Sequence, residues 1–241
     1  MHANFNESNC AKGGTKMASD DEKKSINTKS NKQILIETLI LMVIMLLLPF
    51  TNGVLNSLIQ FAPIVYFFTE RFIRKRTWRE VGFNFRDTLT DIKDNWYFIA
   101  LDVIVIQLLF VLVGYFILPE FLVHVKERLP MEVSRALIIS IIIQLIIGTF
   151  IEEIIFRNLY QERLSWFIRP SFAILITSII FGFVHFSKGS LLIVSVDIFG
   201  VMLDSIIYGV IFNRTKNIYA SWFTHCLADI IGIIILLTLL G

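Results

Sequence analysis

Apolar residues in this chain gather in long unbroken runs rather than alternating or returning to one face. After a polar stretch over 1–32, "MHANFNESNCAKGGTKMASDDEKKSINTKSNK", runs occupy Ile34 to Pro49, Val54 to Phe68, Trp96 to Leu118, Ala136 to about Leu164, Ser171 to Phe186, Leu191 to Phe212 and Ile218 to Leu240. A helix needs roughly 20 apolar residues to cross a bilayer, so the pattern predicts an all-α fold, a polytopic transmembrane helical bundle with about seven spans. The first two runs are short and joined by "PFTNG", whose Pro, Asn and Gly suit a tight turn, and they are expected as a hairpin or tilted pair. The pattern breaks at 77–96, "TWREVGFNFRDTLTDIKDNW", where aromatics mixed with both charge signs predict an interfacial amphipathic helix. Three regions follow: a disordered polar tail over 1–32, N-terminal spans with the interfacial segment over 33–135, and a transmembrane core over 136–241. The stretch "PEFLVHVKERLP" is expected as a loop, with His124 a solvated surface residue.

Composition sharpens this reading. The 241 residues are 55% hydrophobic, far above an ordinary globular domain, which predicts a multi-pass protein of the cell membrane with the lipid bilayer as its first partner. A net charge of +2, with no basic run interleaved with exposed aromatics, excludes nucleic acid as a partner. Cys10 and Cys226 are the two cysteines and give neither a disulfide framework nor a CxxC metal site. The tail lacks the apolar core of a cleavable signal peptide, and Met17 would serve equally as a start. The densest basic loop is "RFIRKRTWR" at 71–79, with Lys29 and Lys32 before the first run and Arg214 and Lys216 between the last two. By the positive-inside rule this puts the N-terminus in the cytoplasm.

Charges inside the apolar runs carry the chemistry. "GTFIEEIIFRNLYQER" at 148–163 holds Glu152, Glu153 and Arg157 within one predicted span, where each ionisable group costs roughly 2.5–3.5 kcal/mol on insertion scales. Glu153 and Arg157 are four apart on one helical face and predict an ion pair. Glu152, rotated about 100° from its neighbour, is left to point into a cavity and act as a base; the structural alternative makes all three a polar knot between helices. The next span ends in "FGFVHF" with His185, and the last opens with "SWFTHCLADI", placing His225 and Asp229 one turn apart. If the chain reverses near 168–170, Glu152 and His185 lie about 24 Å from the turn on either side and meet at one depth. His225 sits only about 11 Å past Ile218, so convergence requires loops ending at different heights. A carboxylate and an imidazole in such a pocket can activate a water for peptide hydrolysis without a Ser or Cys nucleophile. The same groups can also hold Zn²⁺, although "HExxH" is absent. The residues thus leave the cofactor open between a divalent metal such as Zn²⁺ and a metal-free glutamate mechanism. Asp197 and Asp204 are extra acids in the sixth run, read as helix-packing hydrogen-bonders.

"EExxxR" at Glu152, Glu153 and Arg157, "FxxxH" at Phe181 and His185, and "HxxxD" at His225 and Asp229, in that order over about 136–235, resemble the CPBP family. This family comprises the type II CAAX prenyl endopeptidases and the bacteriocin-processing or bacteriocin-immunity membrane proteins, also called Abi proteins. The resemblance implies a CPBP-type intramembrane endopeptidase acting on a membrane-associated peptide or protein. It implies that Glu152 and His185 activate water, that His225 and Asp229 form the oxyanion side, and that Glu153 and Arg157 support them. The family is often labelled metalloprotease, and a metal-free mechanism is also proposed for it. Asp229 stands where Asn is common, and an ionised Asp would repel an oxyanion unless protonated or paired. Two other functions compete: a bacteriocin self-immunity protein acting by binding, and a transporter relaying ions through Asp197, Asp204 and the histidines. The latter is disfavoured because the two halves show no inverted repeat.

Overall fold

The structure is a computed structural model that describes residues 32–127 and 138–240. The disordered tail expected over 1–32 lies, apart from Lys32, outside the described residues. Contacts divide the chain into two units, Met1–Ile40 and Leu41–Gly241. In the first, residues 32–40 are helical, and Thr38 Oγ1 donates to the Ile34 carbonyl at 2.8 Å.

In the second unit, a 3₁₀ turn at Leu48–Phe50 leads to α1 (Gly53–Ile73), and a short helix α2 (Thr88–Asp94) precedes α3. α3 is α-helical over Trp96–Ala100 and Gln107–Phe116 and a π-helix over Leu101–Ile106 between them. There follow α4 (Pro119–Glu127), α5, α6 (Pro170–Val184), α7 (Leu191–Thr215) and α8 (Ile218–Leu240). α5 runs as α-helix over Ile138–Glu153, as π-helix over Ile154–Gln161 and again as α-helix over Glu162–Ser165. Lipid offers no partners to backbone N–H and C=O groups, so the apolar runs satisfy them within helices.

Five helices among the described residues are long and apolar enough to cross a membrane: Lys32–Phe50, Trp96–Phe116, Ile139–Ser165, Leu191–Thr215 and Ile218–Leu239. Pro170–Val184 is apolar and shorter, and α1 makes the seventh helix at the predicted positions. Outward faces carry exposed large apolar residues such as Leu58, Phe61, Leu108 and Leu109, as a lipid-facing surface requires. The protein is a multi-pass membrane protein.

Local chemistry sets the helix ends. Pro170 opens α6 at a position whose N–H has no intrahelical acceptor, and the Ser190 side chain caps α7 by accepting from Ile193 N. Lys216, with φ +51°, closes α7 in the left-handed region. The next residue, Asn217, is fully buried and donates from Nδ2 to the Asn84 carbonyl at 2.8 Å and to Asp91 Oδ2 at 2.7 Å. Ile218 N donates to the Gly82 carbonyl at 2.8 Å, and Arg214 Nε donates to Asn95 Oδ1 at 2.7 Å. The segment 77–96 is therefore more than an interfacial anchor, because it grips the turn that starts α8. Gly82 makes this possible: its φ is +82°, and a Cβ there would meet Asn158 Oδ1 at 2.7 Å.

Three expectations need correction. α1 continues past Phe68 to Ile73, so the start of "RFIRKRTWR" is helical. This extension buries Glu70 against the fully buried Arg163 at 2.7 Å, while Tyr66 Oη lies 3.2 Å from Arg163 Nη1. The C-terminal end of α5 is thus packed inside protein at Tyr160, Gln161 and Arg163. "PEFLVHVKE" is helix rather than loop. His124 on it is buried, not solvated: its Nε2 lies 3.6 Å from Asp197 Oδ2 and 3.0 Å from Ser187 Oγ.

A Glu70→Ala substitution leaves the Arg163 guanidinium buried beside a missing counter-charge, a loss of about 3–5 kcal/mol. Thermal unfolding of the purified protein in detergent should show a clear drop for this variant and little change for Glu80→Ala, which is exposed; equal melting of the two would show that the Glu70–Arg163 pair does not hold α1 to α5.

Candidate active site

The centre of the helical core is a carboxylate. Glu153 is fully buried, where an uncompensated charge is untenable, and three groups answer it. Arg157 Nε lies 3.3 Å from Oε2, the Ser221 hydroxyl donates to the same oxygen, and His225 Nδ1 stands 3.1 Å from Oε1. The i, i+4 pairing of Glu153 with Arg157 was predicted from spacing and is present. Arg157 spends its other nitrogens on Ser205 Oγ at 2.8 Å and Gln161 Oε1 at 3.3 Å. Ser205 in turn donates to Ser178 Oγ at 3.1 Å, and Gln161 Nε2 to the Gly209 carbonyl at 2.8 Å. A Cβ on Gly209 would meet Gln161 Oε1 at 2.7 Å, so glycine lets α7 come this close to α5. The π-helix over Ile154–Gln161 holds Arg157, Asn158 and Gln161, all buried; π-turns of this kind often occur at functional sites.

With Glu153 fixed inward, Glu152 is turned to a different side. Its side chain is about one third exposed (35%), against 0% for Glu153. Its Oε1 is 3.9 Å from His185 Nε2, and its Oε2 is 3.6 Å from His225 Nε2. The expected meeting of Glu152 and His185 at one depth is present, and His225 joins them. Asp229 Oδ2 lies 3.8 Å from the same His225 nitrogen.

Each imidazole is oriented by its other nitrogen. His185 Nδ1 lies 2.7 Å from the Phe181 carbonyl; a carbonyl only accepts, so Nδ1 carries the hydrogen and Nε2 is the nitrogen presented toward Glu152. His225 turns Nδ1 to Glu153 and Nε2 to Glu152 and Asp229. Tyr208 stacks on its ring at 4.5 Å and 19°, and Phe181 meets it edge-on at 5.7 Å.

These side chains open into one cavity of about 490 Å³. Glu152, His185, His225 and Asp229 line it, as do Asp197 and Asp204, while Phe110, Phe121, Leu122 and Leu236 make much of its apolar wall. Glu153 and Arg157 do not line it. Sequence reasoning missed Ser221, Tyr208, Ser205, Ser178 and Gln161. Only Ser221 carried a legible signal: it stands four residues before His225, so Ser221, His225 and Asp229 form a stripe on α8. Among the described residues no three His, Cys, Asp or Glu side chains are grouped closely enough to hold a metal ion.

The two adjacent glutamates should respond oppositely to isosteric neutralisation. Glu153→Gln leaves the buried Arg157 uncompensated, costs about 3–5 kcal/mol and should abolish monodisperse protein in size-exclusion chromatography. Glu152→Gln should accumulate like wild type, and Ser221→Ala should fall between them at about 1–3 kcal/mol. Equal recovery of Glu153→Gln and wild type would contradict the scaffold reading.

Comparison with protein families gives a match over residues 134–231 to the model described as type II CAAX prenyl endopeptidase Rce1-like. Neither the curated proteins nor the solved structures give a match. The matched segment holds Glu152, Glu153, Arg157, His185, His225 and Asp229 and coincides with the stretch whose motifs resemble the CPBP family. Residues 134–231 of this membrane protein thus carry the pattern of the Rce1-like family of type II CAAX prenyl endopeptidases.

Proposed function

We propose that the protein is an intramembrane endopeptidase that hydrolyses a peptide bond of a membrane-associated peptide or protein with water activated by Glu152 and His185. The observation that carries this reading is the position of the Glu152 carboxylate: open to the cavity and set between the Nε2 atoms of two imidazoles. Its 3.9 Å separation from His185 is too long for a direct hydrogen bond and suits a bridging water. That water gives a proton to Glu152 while its oxygen attacks the scissile carbonyl carbon. Negative charge gathers on the carbonyl oxygen, and His225 Nε2, carrying a hydrogen, faces it as donor while Glu153 at Nδ1 steadies the ring's positive charge. The proton on Glu152 passes to the leaving nitrogen as the C–N bond breaks, which returns the carboxylate. Asp229, 3.8 Å from His225 Nε2, adds a negative charge beside the ring and offers no donor of its own while ionised.

Glu153 and Arg157 touch no reacting atom in this scheme and act through His225. The reading draws equally on the Rce1-like match over the segment that holds these residues. Immunity by binding alone would not require Glu152 to keep its charge.

Purified Glu152→Gln and His185→Ala proteins should lose about 10²–10⁴-fold in kcat/KM on a peptide that wild type cleaves, with unchanged melting curves, and a strong chelator should leave the wild-type rate intact. Equal rates for wild type and Glu152→Gln would refute the role of Glu152, and loss of activity with chelator would refute the metal-free step.

A further inference from the structure

His185 stands just past the end of a helix. α6 ends at Val184, and the His185 N–H keeps a bond to the Gly182 carbonyl at 3.2 Å as the chain turns into the connection over 185–190. A water held between Glu152 and His185 needs both groups fixed to within about 0.5 Å. The helix α5 supplies this for Glu152, and the connection must supply it for His185.

The connection is gripped at three points. Ser190 caps α7 by accepting from Ile193 N at 3.4 Å. Ser187 Oγ lies 3.0 Å from His124 Nε2. Gly189 passes so close to the same imidazole that a Cβ there would meet Cε1 at 3.0 Å and Nδ1 at 3.1 Å. Two of the three grips are thus on one buried side chain, which also has Asp197 Oδ2 3.6 Å from Nε2. The place of His124 follows from α4. Gly114 on α3 lets that helix fold back closely, since a Cβ at 114 would meet Leu122 Cγ at 2.6 Å and Phe121 Cδ1 at 3.2 Å. Phe121, Leu122 and Val125 then line the cavity, while His124 meets the connection.

Ser187, His124 and Asp197 are not a second nucleophile. A hydrolytic triad sets its acid at Nδ1 and its serine at Nε2, whereas here both oxygens approach Nε2. A lone pair on Nε2 would face the Asp197 carboxylate, so this nitrogen carries the hydrogen and donates toward the two oxygens. Such a contact ties the connection to α4 and α7 and leaves the hydroxyl unactivated.

We propose that His124 is a positioning residue for the hydrolytic step: by holding Ser187 and Gly189 it fixes the connection that begins at His185, and so keeps His185 Nε2 at the distance from Glu152 that a bridging water spans. The inference rests on the endopeptidase reading and deepens it, adding a residue that acts only through His185.

The test uses the full-length protein in detergent and a peptide that wild type cleaves. His124→Ala should lower kcat about 10- to 100-fold with KM little changed. His124→Gln, whose amide N–H stands in for the Nε2–H, should recover most of the loss, and His124→Leu, which fills the space without a donor, should not. Ser187→Ala should also lower kcat, and its loss should not add to that of His124→Ala in the double variant. In parallel, the ring resonances of ¹⁵N-labelled histidine, assigned with His185→Ala, should move for His185 in His124→Ala and in Ser187→Ala and return in His124→Gln, while those of His225 stay.

If no peptide is cut but the His185 resonances move in this order, the endopeptidase reading fails and the positioning role stands. Should His124→Ala not fold, Ser187→Ala and His124→Gln carry the same comparison. His185 resonances unmoved by these substitutions, a loss confined to KM, or kcat lost equally in His124→Gln and His124→Leu overturns the positioning role.

Discussion

The Glu153 carboxylate is the constraint on which the core depends. A fully buried anion in an apolar bundle requires several charge-assisted partners at once, and these come from separate places: Arg157 one turn along α5, and Ser221 and His225 on α8. Arg157 extends the demand to Ser205 on α7 and, through it, to Ser178 on α6. Satisfying one carboxylate therefore sets the relative register of α5, α6, α7 and α8. Helices in lipid gain little from simple apolar contact with one another, so such a network gives the packing its specificity.

The same constraint explains how two neighbouring glutamates take different environments. Once Glu153 is held inward, the helical turn carries Glu152 to the cavity, and the ring that steadies Glu153 with Nδ1 presents Nε2 to Glu152. The glycines serve this geometry at two places. Gly209 lets α7 approach Gln161, and Gly82 lets the segment before α2 reach the first residue of α8. That second contact, with Asn217 and Arg214, sets the height at which α8 begins and hence the depth of His225.

The spans, the Glu153–Arg157 pair and the common depth of Glu152 and His185 were legible because each follows from helical rise and spacing within one or two adjacent helices. The depth of His225 was not, since it depends on the grip of residues 82–95 on the turn at 217, a contact between segments far apart in sequence. His124 looked solvated because its partners, Asp197 and Ser187, arrive from over 60 residues away, and "PEFLVHVKE" is too polar in composition to announce a packed helix. The π-turns at Leu101–Ile106 and Ile154–Gln161 left no trace in the apolar pattern, because a run that is hydrophobic all round does not reveal its period. Ser221 was visible as the first member of a stripe with His225 and Asp229, but its role in answering Glu153 needed the fold.

The central claim is that this bundle adds water across a peptide bond at Glu152. The most direct measurement is mass spectrometry of a peptide incubated with the purified protein in H₂¹⁸O. The account predicts two fragments, with one ¹⁸O in the new C-terminal carboxyl group, formed by wild type and absent with Glu152→Gln. Fragments formed equally by both proteins, or peptide that binds and is recovered whole from wild type, would contradict it.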